Sequence, residues 1–420
     1  MISKASATEC FVYITLSGKT SAVTAGKFVL GKNARGDALG QFVYRGKYLD
    51  DRRAIEIDPI ELKLSKRTYE TALLNGLFGA LRDAGPDYWG RRVIEKHTGK
   101  TKLGELDYLL ESPDDRAGAL GFGLNTEPPA PLRKFNQTID LEKLQALADA
   151  LVKDELPNDP QAQQVQDLML LGTSMGGARP KAVVQDDDGL WVAKFNRDDD
   201  RWNNTRVEHS MLRLARECGL TTAESKIGTV GGKDVLLVKR FDREKTSKGY
   251  ARARMVSGLT MLRSDEAPET RQNWSYIILV EELRRIVEEL KKEAKELFRR
   301  VCFNALISNI DDHPRNHAII AKEQNWRLSP AYDLTPSTPV SQEHRDLALD
   351  CGDQGRYANA NNILSQHARF LLERNEAEKI INDMKRQVEA TWYDTACASG
   401  VSAKDAETIR SAFVYPGFSL

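Results

Sequence analysis

The sequence predicts an α/β N-terminal half that carries a small β-rich subdomain, followed by an all-α C-terminal half. Three observations predict it. Short β-branched and aromatic runs, separated by Gly, Asn and Asp, fill residues 11–60. Strand-like and helix-like segments alternate between about Asp167 and Phe241. From about residue 275 onward, apolar side chains recur at helical spacing. The expected divisions are residues 1–130 for the β-rich subdomain, 131–256 for the α/β lobe and 257–420 for the helical lobe.

Taken in order, Phe11-Val12-Tyr13-Ile14, Lys27-Phe28-Val29-Leu30 and Gln41-Phe42-Val43-Tyr44 read as strands of a small sheet or barrel. The spacing turns helical from Tyr69 to His97. The stretch Thr126-Glu127-Pro128-Pro129-Ala130-Pro131 is the clearest linker, because prolines at that density continue neither a helix nor a central strand. Residues 139–152 form an amphipathic helix with Leu141, Leu144, Leu147, Ala148 and Leu151 on one face. A Gly-rich loop at 172–177 precedes the strand Ala182-Val183-Val184, an Asp-Asp-Asp-Gly turn and the strand Leu190–Phe195. A helix over roughly 206–218 and a strand over 234–241 complete the pattern of a nucleotide-binding lobe. In the C-terminal half, Leu283, Ile286, Leu290, Ala294, Leu297 and Val301 face a core, and the charged face of 281–300 reads as solvated surface.

Composition bounds the function. Lys plus Arg and Asp plus Glu balance at 61 each, so nucleic acid would be met by a local patch rather than by an overall positive field. The five cysteines are scattered without a Cys-x-x-Cys pair, against both a disulfide framework and a structural zinc site. Met1-Ile2-Ser3-Lys4-Ala5-Ser6 lacks the apolar core of a signal peptide, and no apolar run approaches the roughly 20 residues a membrane span requires. A cytoplasmic protein with no membrane partner is expected.

The stretch Ser308-Asn309-Ile310-Asp311-Asp312-His313-Pro314-Arg315-Asn316-His317 carries the most chemistry. An Asp followed five positions later by an Asn, on a polar loop after an apolar helix, is what a phosphotransferase needs. Asp311 would accept or orient the attacking hydroxyl, and Asn316 would hold magnesium at the nucleotide phosphates. Asp333, in Ser329-Pro330-Ala331-Tyr332-Asp333, supplies a second hard oxygen ligand. Asp312 either supports the site from behind as an acid or caps a helix. His313 and His317 stand four apart, but Pro314 and the missing Glu argue against a zinc helix. Taken alone, the loop is equally compatible with a polar inter-helix connection.

Upstream, the loop Gly172 to Lys181 contains Gly176 and Gly177, whose backbone can approach phosphate oxygens, and Arg179 and Lys181, which bring charge. It is not a Walker A loop, since Ala178 follows Gly177 where Lys is required. Lys194 shares a strand face with Val192, opposite Ala193 and Phe195. A lysine there either meets an anion such as a nucleotide phosphate or points to water from an edge strand.

These motifs, in this order, resemble the HipA family of serine/threonine kinases, the toxin halves of bacterial toxin–antitoxin pairs. Ser174 to Lys181 resembles the family's phosphate loop and Val192-Ala193-Lys194-Phe195 its nucleotide lysine strand. Val238-Lys239-Arg240-Phe241-Asp242-Arg243 is similar to the hinge that holds adenine, Asp311 to Asn316 to the catalytic loop, and Ser329 to Asp333 to the metal-binding segment. The resemblance implies a bilobal kinase with ATP and Mg2+ between its halves. It implies Asp311 as catalytic residue and Asn316 and Asp333 as metal ligands. Gly176, Gly177, Ala178, Arg179, Pro180, Lys181, Lys194, Lys239, Arg240, Phe241 and His313 join Asn316 and Asp333 in the cofactor site. It further implies autophosphorylation at Ser174, which would place nearly two negative charges beside the ATP phosphates and inactivate the kinase. The implied partners are a helix-turn-helix antitoxin of the HipB kind, operator DNA through that antitoxin, which makes the complex nucleoid-associated, and a protein substrate of the aminoacyl-tRNA synthetase class. Lys239 departs from the family, which often has an acidic residue there; Arg315 and Thr335 are milder departures.

Two alternatives stand beside it. One is a second enzyme, a small-molecule phosphotransferase, which shares the Asp-x4-Asn and later Asp logic. The other, from a different class, is a catalytically idle co-repressor that caps the antitoxin on DNA.

Overall fold

The computed structural model of the 420-residue chain describes residues 7–100, 103–131, 135–153, 179–338 and 341–419. They form two compact units, each built from separated stretches of chain. The first comprises Met1–Phe195, Lys239–Val256 and Ile320–Asn325; the second comprises Asn196–Val238, Ser257–Ile319 and Trp326–Leu420.

The first unit opens with β1 (Glu9–Thr15), β2 (Ala22–Lys32) and β3 (Ala38–Tyr44), joined by β4 (Tyr69–Thr71) and β5 (Leu120–Gly123) in the antiparallel order β4-β3-β2-β1-β5. Alternation along the strands turns Cys10, Val12, Ile14, Phe28, Phe42 and Tyr44 into one core. Helices α1 (Gly46–Leu49), α2 (Gly79–Asp83), α3 (Tyr88–Thr98) and α4 (Glu105–Glu111) lie along the same stretch of chain. The spacing that predicts one helical region over 69–97 is thus broken into a strand and two helices. Leu74, Asn75 and Gly76 all take positive φ, and Gly85-Pro86 separates α2 from α3, since proline disfavours helical backbone just before it. Asp87 then caps α3 by accepting from Gly90 N–H at 2.6 Å.

The rest of this unit carries the candidate nucleotide strands. β6 (Asn136–Gln137) runs parallel to β7 (Lys181–Asp186), which forms a hairpin with β8 (Gly189–Phe195). The hairpin closes where expected. Asp186 Oδ1 accepts from Asp188 N–H, Gly189 N–H and the Trp191 indole, and Gly189 takes φ +137°. Helix α5 (Leu141–Lys153) buries Leu141, Leu144, Leu147, Ala148 and Leu151 and packs on β7 and β8.

The second unit contains the strand β9 (Ser225–Val230), all but the last residue of its antiparallel partner β10 (Lys233–Lys239), and the helix α6 (Asn204–Glu217). The helices that follow are α7 (Gly258–Met261), α8 (Tyr276–Ile286), α9 (Leu290–Leu306), α10 (Ala360–Ser365), α11 (Arg374–Ala398) and α12 (Ala403–Ile409). The apolar spacing from Leu283 to Val301 runs across two helices, because Val287 is extended and ends α8. Between α9 and α10, the described residues of 307–359 hold no α-helix. That irregular stretch carries the catalytic-loop motif. Among the described residues, no helix is long and apolar enough to cross a membrane.

Candidate active site

The loop after α9 is shaped by its first residue. Ser308 takes φ 53°, an uncommon backbone for a non-glycine residue, which persists only where neighbours fix it. Its hydroxyl donates to the Ala412 carbonyl at 2.6 Å and accepts from the Arg345 guanidinium, while its carbonyl accepts from Ser337 N–H at 3.1 Å. Asn309 N–H then returns to the Asn304 carbonyl at 2.8 Å. This reversal projects Asp311 to the surface, where it is exposed, and buries Asp312.

Beyond Asp311 the backbone folds tightly. His313 N–H donates to the Asp311 carbonyl at 2.7 Å, and Pro314–Asn316 form a 3-10 turn closed by Asn316 N–H on the His313 carbonyl at 2.9 Å. The Asn316 amide also donates to the Asp311 carbonyl at 3.4 Å. Proline suits the first position of such a turn, where an N–H would lack a partner. Pro314, the residue that counts against a zinc helix, therefore sets the Asp311–Asn316 spacing.

Asp333 is brought to the same loop from further along the chain. Tyr332 donates its hydroxyl to the Arg315 carbonyl at 2.6 Å. Arg300 of α9 donates to the Ser329 carbonyl at 2.6 Å, and Ala331 exchanges backbone hydrogen bonds with Thr221 and Ala223. Asp333 itself takes φ 58°. The carboxyl of Asp311 is raised above its ordinary range by desolvation first; His313 opposes this, and the Asp333 and Asp312 carboxylates add to it. Asp311 and Asp333 are thus close enough to feel each other's charge, an arrangement that a divalent cation would relieve. Among the described residues, no group of three His, Cys, Asp or Glu side chains forms a metal site. Asn316 and Asp333 suit magnesium instead, which takes one or two protein oxygens and fills its remaining positions from phosphates and water.

A cavity of about 760 Å³ opens beside Asp311 within this unit. Trp274, Leu259 and Leu347 line it along with His313, Asp346 and Asp350. Burial, followed by Asp346, raises the carboxyl of Asp350, with Arg356 opposing. Arg315, also on the wall, is paired with Glu266 at 2.6 Å.

Behind the loop, Asp312 Oδ2 accepts from the Tyr276 hydroxyl, from Asn304 Nδ2 at 2.7 Å and from His317 Nε2 at 2.7 Å. Burial and then the Asp312 charge hold Tyr276 well above its ordinary pKa, so its hydroxyl stays a donor. Asp312 is therefore a buried acceptor and not a helix cap.

In the first unit, Lys181 and Lys194 face each other directly across β7 and β8. The Lys181 ammonium lies 2.7 Å from Asp87, with both side chains buried. Phe195 N–H donates to the Pro180 carbonyl at 3.2 Å, and Arg179 precedes the strand, half-buried. Ser174, Gly176, Gly177 and Ala178 lie outside the described residues. Along the candidate hinge, the Lys239 ammonium sits 5.7 Å from the Trp191 ring centroid, and Phe241 is half-buried. The Arg240 guanidinium is held by Asp115, by Asp242 at 2.9 Å and by the Arg116 carbonyl at 2.8 Å. Burial works against its charge, and Asp115 and Asp242 overcome that. What Arg240 could present to a ligand is accordingly backbone, not guanidinium.

Asp87, Asp115, Tyr276 and Asn304 escape a reading of the sequence. Asp87 alone left a local signal, as a capping residue before an apolar helix. Tyr276 and Asp115 act across 36 and 125 positions, where no spacing rule reaches, and Asn304 meets Asp312 eight positions on with no motif to mark it.

The model of the family "HipA-like C-terminal domain" matches residues 173–392, just over half of the chain. The protein of Sinorhizobium fredii named "Putative kinase Y4mE" is 24% identical, across 74% of this chain and 75% of its own length. A "Putative kinase" of Haemophilus influenzae is 22% identical, across 50% of this chain and 66% of its own. Among solved structures, a chain from the Shewanella oneidensis MR-1 complex of HipA, HipB and operator DNA is similar with a TM-score of 0.68, at 16% identity over 95% of both chains. At that identity the likeness shows a shared fold, the bilobal HipA-like one.

Proposed function

The chain belongs to the family of the HipA-like C-terminal domain, and from that premise we propose that it is an ATP- and magnesium-dependent protein serine/threonine kinase, the toxin of a toxin–antitoxin pair. The observation that carries the proposal is Asp311. It is an exposed carboxylate at the mouth of a cavity, with Asn316 and Asp333 on segments tied to its own loop.

In phosphoryl transfer the protein's work is positioning and electrostatic stabilisation. Asp311 orients the acceptor hydroxyl and takes its proton, and a carboxyl raised above its ordinary range is the better base for that step. Asn316 and Asp333 would hold magnesium, which would supply positive charge at the phosphates. The cavity beside Asp311 receives the acceptor. Lys194 and Arg179 serve the nucleotide phosphates, with the Gly176-Gly177-Ala178 backbone, and the backbone of Lys239, Arg240 and Phe241 holds the base. Pro180 and Lys181 keep the loop's exit in place, Lys181 through Asp87. His313, two residues after Asp311, serves the nucleotide from the loop itself.

Three finer assignments belong to the same proposal. Ser174 is the autophosphorylated residue that switches the kinase off. The protein partner is a helix-turn-helix antitoxin, through which the complex meets operator DNA. This is supported by the HipA, HipB and operator content of the structural neighbour. The substrate is a translation protein of the aminoacyl-tRNA synthetase class, met in the cytoplasm.

The test is to incubate the protein and its Asp311→Asn form with ATP and magnesium, then map phosphate by intact mass and peptide analysis. One phosphate on Ser174 in the parent only is the expected result. No transfer by the parent, to itself or to a panel of synthetases, would overturn the kinase assignment and favour an idle co-repressor.

A further inference from the structure

Asp311 and Asp312 are neighbours in sequence with opposite surroundings. Asp311 is exposed, whereas Asp312 is 1% exposed and belongs to a closed polar cluster. The partners on its Oδ2 are equally buried: Tyr276 at 0%, Asn304 at 1% and His317 at 3%. A carboxylate only accepts, so His317 Nε2 carries the hydrogen. The Tyr276 ring meets the His317 ring edge-on, with centroids 5.5 Å apart, and Asn304 Oδ1 accepts from Asn309 at 3.1 Å. Helices α8 and α9 thus grip the loop at both of its ends.

The placement matters more than the count of bonds. Asp312 follows Asp311, and His317 follows Asn316. The 2.7 Å contact between Asp312 and His317 closes the loop across its base, so a buried link helps set how far Asp311 stands from Asn316. We propose that Tyr276, Asn304 and His317, acting through Asp312, are positioning residues that hold Asp311 and Asn316 at the separation that metal-assisted phosphoryl transfer uses. This rests on the kinase assignment above. None of the four touches the reacting atoms. Outer partners of this kind change metal affinity or activity by about 10–100-fold when removed.

The experiment compares the full chain with His317→Ala, His317→Gln and Tyr276→Phe. A glutamine amide can donate to Asp312 where alanine cannot, so His317→Gln is the rescue. Three quantities are read: Mn2+ affinity with a non-hydrolysable ATP analogue, by paramagnetic resonance of free Mn2+; analogue affinity without metal, by calorimetry; and the rate of phosphate transfer. The expected result is Mn2+ affinity and transfer rate each about tenfold or more lower in His317→Ala. Metal-free analogue affinity stays within about twofold of the parent, and His317→Gln recovers most of the loss. Tyr276→Phe, which keeps the ring, shows the same pattern to a smaller degree and stands in if His317→Ala fails to fold. Unchanged Mn2+ affinity in folded His317→Ala or Tyr276→Phe, no Mn2+ binding by the parent, or equal losses in His317→Gln and His317→Ala would each overturn the proposal. A parent that binds Mn2+ with the analogue but transfers no phosphate would sink the kinase assignment alone, because the metal measurement still decides the positioning role.

Discussion

The ammonium of Lys181 lies 2.7 Å from Asp87, and the two side chains are 2% and 5% exposed. The same Asp87 caps α3, while Trp89 of α3 donates its indole N–H to the Lys181 carbonyl at 3.2 Å. The last residue of a glycine-rich, basic motif is thus fastened to a helix start 94 positions upstream. Asp87→Asn keeps a capping oxygen but removes a buried counter-charge beside the Lys181 ammonium. A loss of about 3–5 kcal/mol in urea unfolding is expected, whereas Asp87→Leu with Lys181→Met should lose far less. A single-variant loss below about 1 kcal/mol would show that the pair is not what compensates Lys181.

Gly258 opens α7 against the catalytic loop. A Cβ there would stand 2.6 Å from the Pro314 carbonyl oxygen, and its N–H donates to the His317 carbonyl at 2.7 Å. Gly258→Ala must push the 3-10 turn aside, at roughly 1–3 kcal/mol in stability. A shift of about 1 Å at the reacting groups is enough to lower phosphate transfer on the order of a hundredfold. Gly46→Ala, where no atom lies within 4 Å of the added carbon, is the control and should leave both quantities near the parent's. Equal transfer rates in the two variants would detach α7 from the loop's geometry.

These two sites mark what was and was not legible in the sequence. The β7–β8 hairpin, α5, α6 and the face of Lys194 follow from alternation, helical spacing and an Asp-Asp-Asp-Gly turn, all local signals. Residue type and spacing single out Asp311, Asn316 and Asp333 on short segments, and the structure ties those segments together. Their supports were not legible. Asp312 reaches Tyr276 across 36 positions, and Arg240 reaches Asp115 across 125; neither pairing has a periodicity to betray it. Charge identity also misleads locally. Lys181 and Arg240 look like ligand-binding cations in their motifs, yet their side chains are buried in ion pairs. The helical break at Val287 was hidden for the opposite reason, since apolar spacing continues through it.

Asp58 gives the first unit a pH dependence. Burial raises its carboxyl from an ordinary value to about 7, although Oδ1 accepts from Glu61, Ile60 and Leu62 N–H groups, the closest at 2.6 Å. Its Oδ2 is buried without a partner. The unfolded chain loses this proton near pH 4, while the folded chain keeps it to about 7. Between those values the folded state binds more protons, so stability is greatest at the acid end and declines as pH rises. Asp58→Asn cannot ionise, and it should flatten this decline and leave the variant more stable than the parent at pH 8. Denaturant titrations at pH 5 and pH 8 check it; parallel changes in both proteins would remove Asp58 as the cause.

Asp311 should impose the acid limb of phosphate transfer. The base works only when unprotonated, so the rate is lost as pH falls through its folded pKa, which desolvation and then Asp333 and Asp312 raise above the carboxylate norm of about 4, against His313. Asp333 also makes the limb a property of two interacting carboxyls rather than of one. A divalent cation on Asp333 and Asn316 would cancel part of the repulsion and favour the ionised form of Asp311. The limb is therefore expected to move to lower pH as magnesium is raised toward saturation, with the high-pH rate unchanged once metal is saturating. Rates of transfer across pH 4–8 at several magnesium concentrations measure this directly. A limb that stays fixed while magnesium varies would mean that the metal does not bind beside Asp311, and Asn316 and Asp333 would lose their role as its ligands.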